Sequence, residues 1–195
     1  MVDFLAASPL AVATRAIQDR LKLIFPEKRF VHRMVPARMD GASWKRLIGD
    51  GRFVGLGWAE IAPDSDEGRS FNGDAQWVVF LACRNPSGVM GAMFGDARGP
   101  GLFAFVHAAI AVLQAFSIPG AGTLMVTAAT NAYADGWDEQ DGLAMAAVHC
   151  GLRLNLAPPE GIDMTAPEDL KQIAATWQFA DDSTVGPDIF DVRNS

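Results

Sequence analysis

LAMAAVHCGLRLNL, residues Leu143–Leu156, is the stretch that decides the fold. From Val148 onward apolar and polar side chains alternate, which predicts a strand with one buried face. The apolar set is Val148, Cys150, Leu152, Leu154 and Leu156. His149 and Cys150 are neighbours along this strand, so their side chains point to opposite faces. The histidine therefore cannot activate the cysteine as a nucleophile.

Four more strands are predicted on either side of this one. QWVVFLACR (residues 76–84) is apolar at both odd and even positions, which is typical of a central strand covered on both faces. RFVGLGWAEI (52–61) precedes it, and the acidic, glycine-containing PDSDEGRSFNGD between them predicts a hairpin loop. RFVHRMV (29–35) and GTLMVTAAT (122–130) are the remaining candidates.

Two principal helices are predicted to cover this sheet. The first begins at Ser8 and Pro9 and ends before Pro26, with a stripe at Leu10, Ala13, Ile17, Leu21 and Ile24. The second spans residues 101–116, with a stripe at Phe103, Val106, Ile110 and Leu113. GASWKRLIG is expected to add one or two helical turns. The prediction is an α+β fold, a single mostly antiparallel sheet of about five strands with two principal helices packed on it.

Composition favours a soluble, unexported protein that does not grip nucleic acid. The chain has 195 residues, half of them apolar, and a net charge of −7. An acidic surface is poorly suited to neutralising phosphates. The first residues lack a basic signal-peptide start, and the longest apolar run is shorter than the roughly 20 residues that span a bilayer. Cys83 and Cys150 both lie in apolar runs, which predicts buried, reduced thiols.

The motif search predicts no catalytic residue, no cofactor and no metal. His32, His107 and His149 are scattered, and neither Cys-x-x-Cys nor His-Glu-x-x-His occurs. ARGPG could seat an anion beside Arg98 at a helix N-terminus, but a plain helix start is favoured. DGWDEQDG could be a calcium loop, but the spacing of its acidic residues favours a solvated connection.

Two regions are expected to supply assembly contacts. Trp137, beside Asp138, is an indole among charges, which is typical of a contact residue, although it could also fold back on its own domain. Residues 157–195 are expected to form an extended acidic arm beyond a domain of residues 1–156. Thr165 and Glu168 have capping-box spacing, which predicts one short amphipathic helix. The arm either docks on a neighbouring subunit or wraps its own domain, and its expected anchors are Trp177, Phe179 and Phe190.

The order of these elements resembles the Mu-like family of phage tail terminator proteins. The resemblance lies in RLKLIFPE, DAQWVVFLACR, GPGLFAFVHAAIAVLQAF and IPGAGTLMVTAATNAYADG running into AAVHCGLRL. It covers roughly residues 10–156 and leaves the last segment unmatched. The resemblance implies a non-enzymatic virion protein at the tail–head junction, assembled in the host cytoplasm. It implies a homo-oligomer, a hexameric ring, that caps the tail tube protein and meets the head connector or neck protein, while DNA passes through without specific binding.

Two alternatives remain open at this stage. Another neck, tube or baseplate structural protein could have a similar size, charge and fold pattern. A small intracellular α/β enzyme or ligand-binding domain could use His107 or the glycine-rich turns.

Overall fold

The computed structural model describes residues 8–36, 40–49, 51–64, 71–132 and 142–156. Their fold is α+β, which confirms the predicted class. The chain divides into two units, Met1–Ala157 and Pro158–Ser195, and every described residue belongs to the first. The predicted arm and its helix after Thr165 lie outside the described residues.

The described part of the chain contains four helices and eight strands. The helices are α1 (Pro9–Ile24), α2 (Gly41–Ile48), α3 (Val89–Phe94) and α4 (Leu102–Leu113). The main sheet has β1 (Phe30–Met34), β2 (Arg52–Pro63), β3 (Phe71–Arg84), β6 (Phe116–Ile118), β7 (Gly122–Asn131) and β8 (Leu143–Leu156). A separate short ribbon pairs β4 (Gly95–Asp96) with β5 (Gly99–Pro100). Within these ranges no helix is long and apolar enough to cross a membrane.

The two longest strands lie side by side in the middle of the main sheet. The strand order is β1-β2-β3-β8-β7-β6, and β3 pairs with β8 from Phe71 opposite Leu156 to Arg84 opposite Leu143. β2 and β3 are antiparallel neighbours, as expected of the predicted hairpin. The prediction that residues 76–84 form a central strand is confirmed, because β3 is buried at every position from Trp77 to Cys83.

The sheet is larger and more mixed than predicted. It has six strands rather than about five, and β1 runs parallel to β2. A parallel pair needs a crossover connection, which α2 supplies between the two strands. The sixth strand is β6. Its first residue, Phe116, was predicted to be the last residue of the preceding helix. Ala115 has a positive φ of 56°, which turns the chain out of the helix and into this strand.

Helices cover both faces of the sheet. On one face α1, α3 and α4 pack against a core that includes Trp77, Val79 and Leu81 of β3. On the other face Trp44 and Ile48 of α2 pack in a second core with Phe80. This core also contains the odd-numbered residues at the start of β8, Leu143, Met145 and Ala147. The two principal helices were therefore predicted, whereas the role of α2 as the cover of the second face was missed.

The predicted stripe of α4 is confirmed at Leu113 and wrong by one position at its other three residues. The buried side chains are Leu102, Phe105, Ala109 and Leu113. Phe103 is 50% exposed, and Val106 and Ile110 are only partly buried at the margin of the core. Every residue of α4 except His107 is apolar, so spacing alone fits more than one face.

The first helix is fixed to the central strand by a polar contact. Ala13, Ile17 and Leu21 are its buried residues, whereas Ile24, predicted to continue the stripe, is 42% exposed. Trp77 Nε1 donates a hydrogen bond of 3.0 Å to Thr14 Oγ1, which itself donates to the Leu10 carbonyl at 2.8 Å. This chain of donors satisfies the indole of a fully buried tryptophan.

Replacing Ala109 by Asp tests the corrected orientation of α4. Ala109 is fully buried, and an uncompensated buried charge costs several kcal/mol out of a total stability of about 5–15 kcal/mol. We expect the variant to be insoluble or to melt far below the wild type. Ala111→Asp is the matched control, because Ala111 is exposed on the same helix and should change stability by about 0.5 kcal/mol or less. Equal melting temperatures for the two variants would contradict this orientation.

Candidate assembly surface

One long edge of the main sheet is only partly covered. β6 pairs with β7 from Gly122 to Leu124, and the described residues provide no strand beside the rest of β7 on that side. The Val126 N–H on this side donates a hydrogen bond to Gln114 Oε1, with an N–O distance of 2.9 Å. Beyond it, residues 127–131 are all exposed. We call residues 125–131 the open section of β7.

This open section lacks the charges that usually protect a strand edge. Between Arg98 and Asp135 the sequence contains no Lys, Arg, Asp or Glu, so α4, β6 and β7 carry no charged side chain. Soluble proteins commonly protect exposed edges with lysine, proline or a bulge, because unpaired N–H and C=O groups template pairing with another chain. β7 has one such device, an irregularity between Val126 and Ala128. An uncharged, exposed edge is a favourable site for strand addition.

An apolar groove runs alongside the open section. Its volume is about 150 Å³, and its walls are formed by α4 and by the end of β7, including Phe103, Val106, Ala129 and Thr130. Phe103 stacks edge-on against Phe94 of α3, with ring centroids 5.0 Å apart, and Phe94 is itself 66% exposed. Exposed rings beside an open strand edge provide apolar area that a second protein can bury.

The opposite edge of the sheet is also open. β1 pairs with β2 on one side, and the described residues provide no partner on its other side. Val31 and Met34 of this strand are exposed. His32 is held by a 2.6 Å hydrogen bond between its Nε2 and the Phe25 carbonyl oxygen, which ties β1 to the end of α1. The sheet therefore presents two different edges that a second copy could use.

The residues predicted to make assembly contacts cannot be compared with this surface. Trp137, Asp138, Trp177, Phe179 and Phe190 all lie outside the described residues. Neither the open section of β7 nor the Phe94–Phe103 pair was predicted from the sequence. The signal that could have found the edge is the absence of charge between Arg98 and Asp135, which is easy to see once it is sought.

The histidines and cysteines are dispersed in the structure. His107 is exposed on α4, and His149 and Cys150 lie on opposite faces of β8, as predicted. Across the described ranges no three His, Cys, Asp or Glu side chains come together as a metal site. Both cysteines are free and buried, and the Cys83 thiol donates to the Ala92 carbonyl at 3.0 Å. Burial raises the pKa of Cys83 to about 11, against a smaller lowering by Arg52, and raises the pKa of Cys150 to about 12.

These pKa values predict thiols that are inert in the native protein. A thiol must ionise to react. In the folded chain the pKa of each thiol lies well above the ordinary cysteine value of about 8.5, so both thiols stay protonated at neutral pH. Labelling with a thiol-specific disulfide reagent at pH 8 should be at least about 100-fold slower than in unfolded protein. The same shifts lower stability as pH rises past about 9, because unfolded thiols ionise first. Rapid labelling of either thiol under native conditions would contradict their burial.

The chain matches no protein-family model and no curated protein sequence.

Proposed function

We propose that this chain is a non-enzymatic structural subunit that closes into a ring and terminates a phage-type tail tube. The observation that carries the proposal is the long edge of β7, which is free of charge and which no other described strand pairs beyond Leu124. An edge of this kind gains main-chain hydrogen bonds when a strand of another chain adds to it. The resemblance to tail terminators suggests the position at the end of the tail tube. A subunit elsewhere in the neck, tube or baseplate would use the same strand edge.

The two open edges favour a closed ring over a symmetric dimer. β7 lies near one side of the sheet and β1 lies at the other, so contact between them joins two different surfaces. A heterologous contact closes into a ring when its rotation returns to the start and forms a filament when it does not. A terminator needs closure without rise, since a rise would continue the tube. Six copies are the number that the resemblance implies.

The net charge of the chain suits a ring through which DNA passes. Proteins that bind DNA tightly neutralise phosphates with clustered lysine and arginine. Here 23 acidic residues outnumber 16 basic ones. In the proposed ring the lumen repels phosphates and the DNA slides through. The proposed partners are the last ring of the tube protein on one side and the head connector or neck protein on the other.

Adding one charge to the open section should prevent ring formation. Thr130→Lys places a cation on the exposed end of β7, beside the apolar groove, where strand addition would bury it. Sedimentation velocity should show a ring for the wild type and a monomer for the variant. The melting temperature of the monomer should stay within about 2 °C, because Thr130 is exposed.

Thr123→Lys is the matched control for this experiment. Thr123 is exposed on the same strand, but its section of β7 is already paired with Ser117 of β6. This variant should form rings like the wild type. A wild type that stays monomeric at micromolar concentration, or rings that persist in Thr130→Lys, would overturn the proposal.

A further inference from the structure

A small cavity lies beside the ribbon of β4 and β5, and none of its lining residues belongs to β7. Its volume is about 60 Å³, room for about four water molecules. Three arginines line it, Arg52, Arg84 and Arg98, together with Asn85 and Asp96. A cavity of this size and lining suits a small anionic group. It lies next to the ARGPG stretch, whose possible anion site involved Arg98 alone.

Arg52 is held in a defined position at this cavity. It is the first residue of β2, opposite Phe30 of β1, and it is partly buried. Its guanidinium carbon lies 5.6 Å from the ring centroid of Phe105 and 6.0 Å from that of Phe30. Both aromatic rings are close enough to the cation to stabilise it. Among the residues that the structure describes, none pairs with Arg52 as a salt-bridge or hydrogen-bond acceptor.

Gly99 leaves the space that this guanidinium occupies. A Cβ atom built on Gly99 would lie 2.5 Å from Arg52 Nη2. Gly99 also has a φ of 144°, a conformation that side-chain-bearing residues rarely adopt. The β4–β5 ribbon therefore approaches the arginine closely without supplying an acceptor.

The carboxylate of Asp96 does not neutralise Arg52. Its Oδ1 accepts from the Arg98 backbone N–H at 2.8 Å, and its Oδ2 accepts from Asn85 Nδ2 at 3.1 Å and Ser87 Oγ at 3.2 Å. Together these hydrogen bonds hold the pKa of Asp96 below its ordinary value. Asp96 thus shapes the turn that carries Arg98, and none of these hydrogen bonds involves Arg52.

We propose that Arg52, assisted by Arg98, binds a carboxylate group. Two aromatic rings support its charge but offer no oxygen acceptor, and the two oxygens of a carboxylate match the N–H fork of the guanidinium. The cavity holds the head group and little more, so the rest of the ligand lies outside it. We assign the carboxylate to an Asp or Glu side chain of a second copy. The assignment to a second copy rests on the proposed ring, whereas the proposal that Arg52 binds a carboxylate does not depend on it.

The site is tested first with acetate on the full chain. A ligand that binds only the native state raises its melting temperature, by about 3–6 °C at ten times its dissociation constant. Acetate should produce this rise relative to chloride at equal ionic strength. Arg52→Gln should abolish it and Arg98→Gln should reduce it. Arg46→Gln is the matched control, because Arg46 is exposed on α2 and lines no part of this cavity, and it should respond like the wild type.

The outcomes separate the site, its ligand and its source. If wild type, Arg52→Gln and Arg98→Gln respond equally to acetate, the site is overturned, whether or not rings form. A larger rise in phosphate than in acetate would overturn the assignment to a carboxylate. If Arg52→Gln does not fold, Arg98→Gln alone decides. Rings weakened in Arg98→Gln and unchanged in Arg46→Gln support a second copy as the source, and rings unchanged in both overturn that source.

Discussion

The pairing of β3 with β8 is the constraint on which the rest of the structure depends. The two strands run antiparallel over their whole lengths, and both are buried on two faces over about half of the pairing, where Trp77–Cys83 lies beside residues 144–150. A slip of one residue would exchange the two faces of either strand. Trp77 would then leave the α1 side, and its hydrogen bond to Thr14 would be lost. The positions of α1, α2 and α4 therefore all follow from this single register.

The sequence predicts both strands, although not that they pair, because each has a strong pattern. β3 is apolar on both parities, and β8 changes from continuous burial to alternation after Val148. Other features were not predictable in the same way. β6 has three residues, and β4 and β5 have two each, too few to show a period. The orientation of α4 was missed because an almost wholly apolar helix has no polar face to set its rotation.

The candidate surfaces were less predictable than the fold. Trp137 was predicted as a contact residue because it is an indole among charges, and Trp177 as an anchor of the C-terminal arm; both lie outside the described residues. Most residues of the open section of β7 are small or β-branched, so apart from the missing charge their side chains do not mark it. The strand order shows where β6 ends and, among the described residues, leaves this section unpaired on one side. The Arg52 cavity likewise joins segments distant in sequence, β2 and the β4–β5 ribbon, which no local motif connects.

We propose that copies of this chain assemble through the open section of β7. Amide hydrogen exchange tests it most directly when it is measured above and below the concentration at which assemblies dissociate. We expect amide exchange in residues 125–131 to slow by about tenfold or more on assembly, because added strand pairing protects exposed amides. Exchange in the already paired β8 should stay the same. Equal exchange of residues 125–131 in both states, with protection appearing elsewhere, would contradict the account.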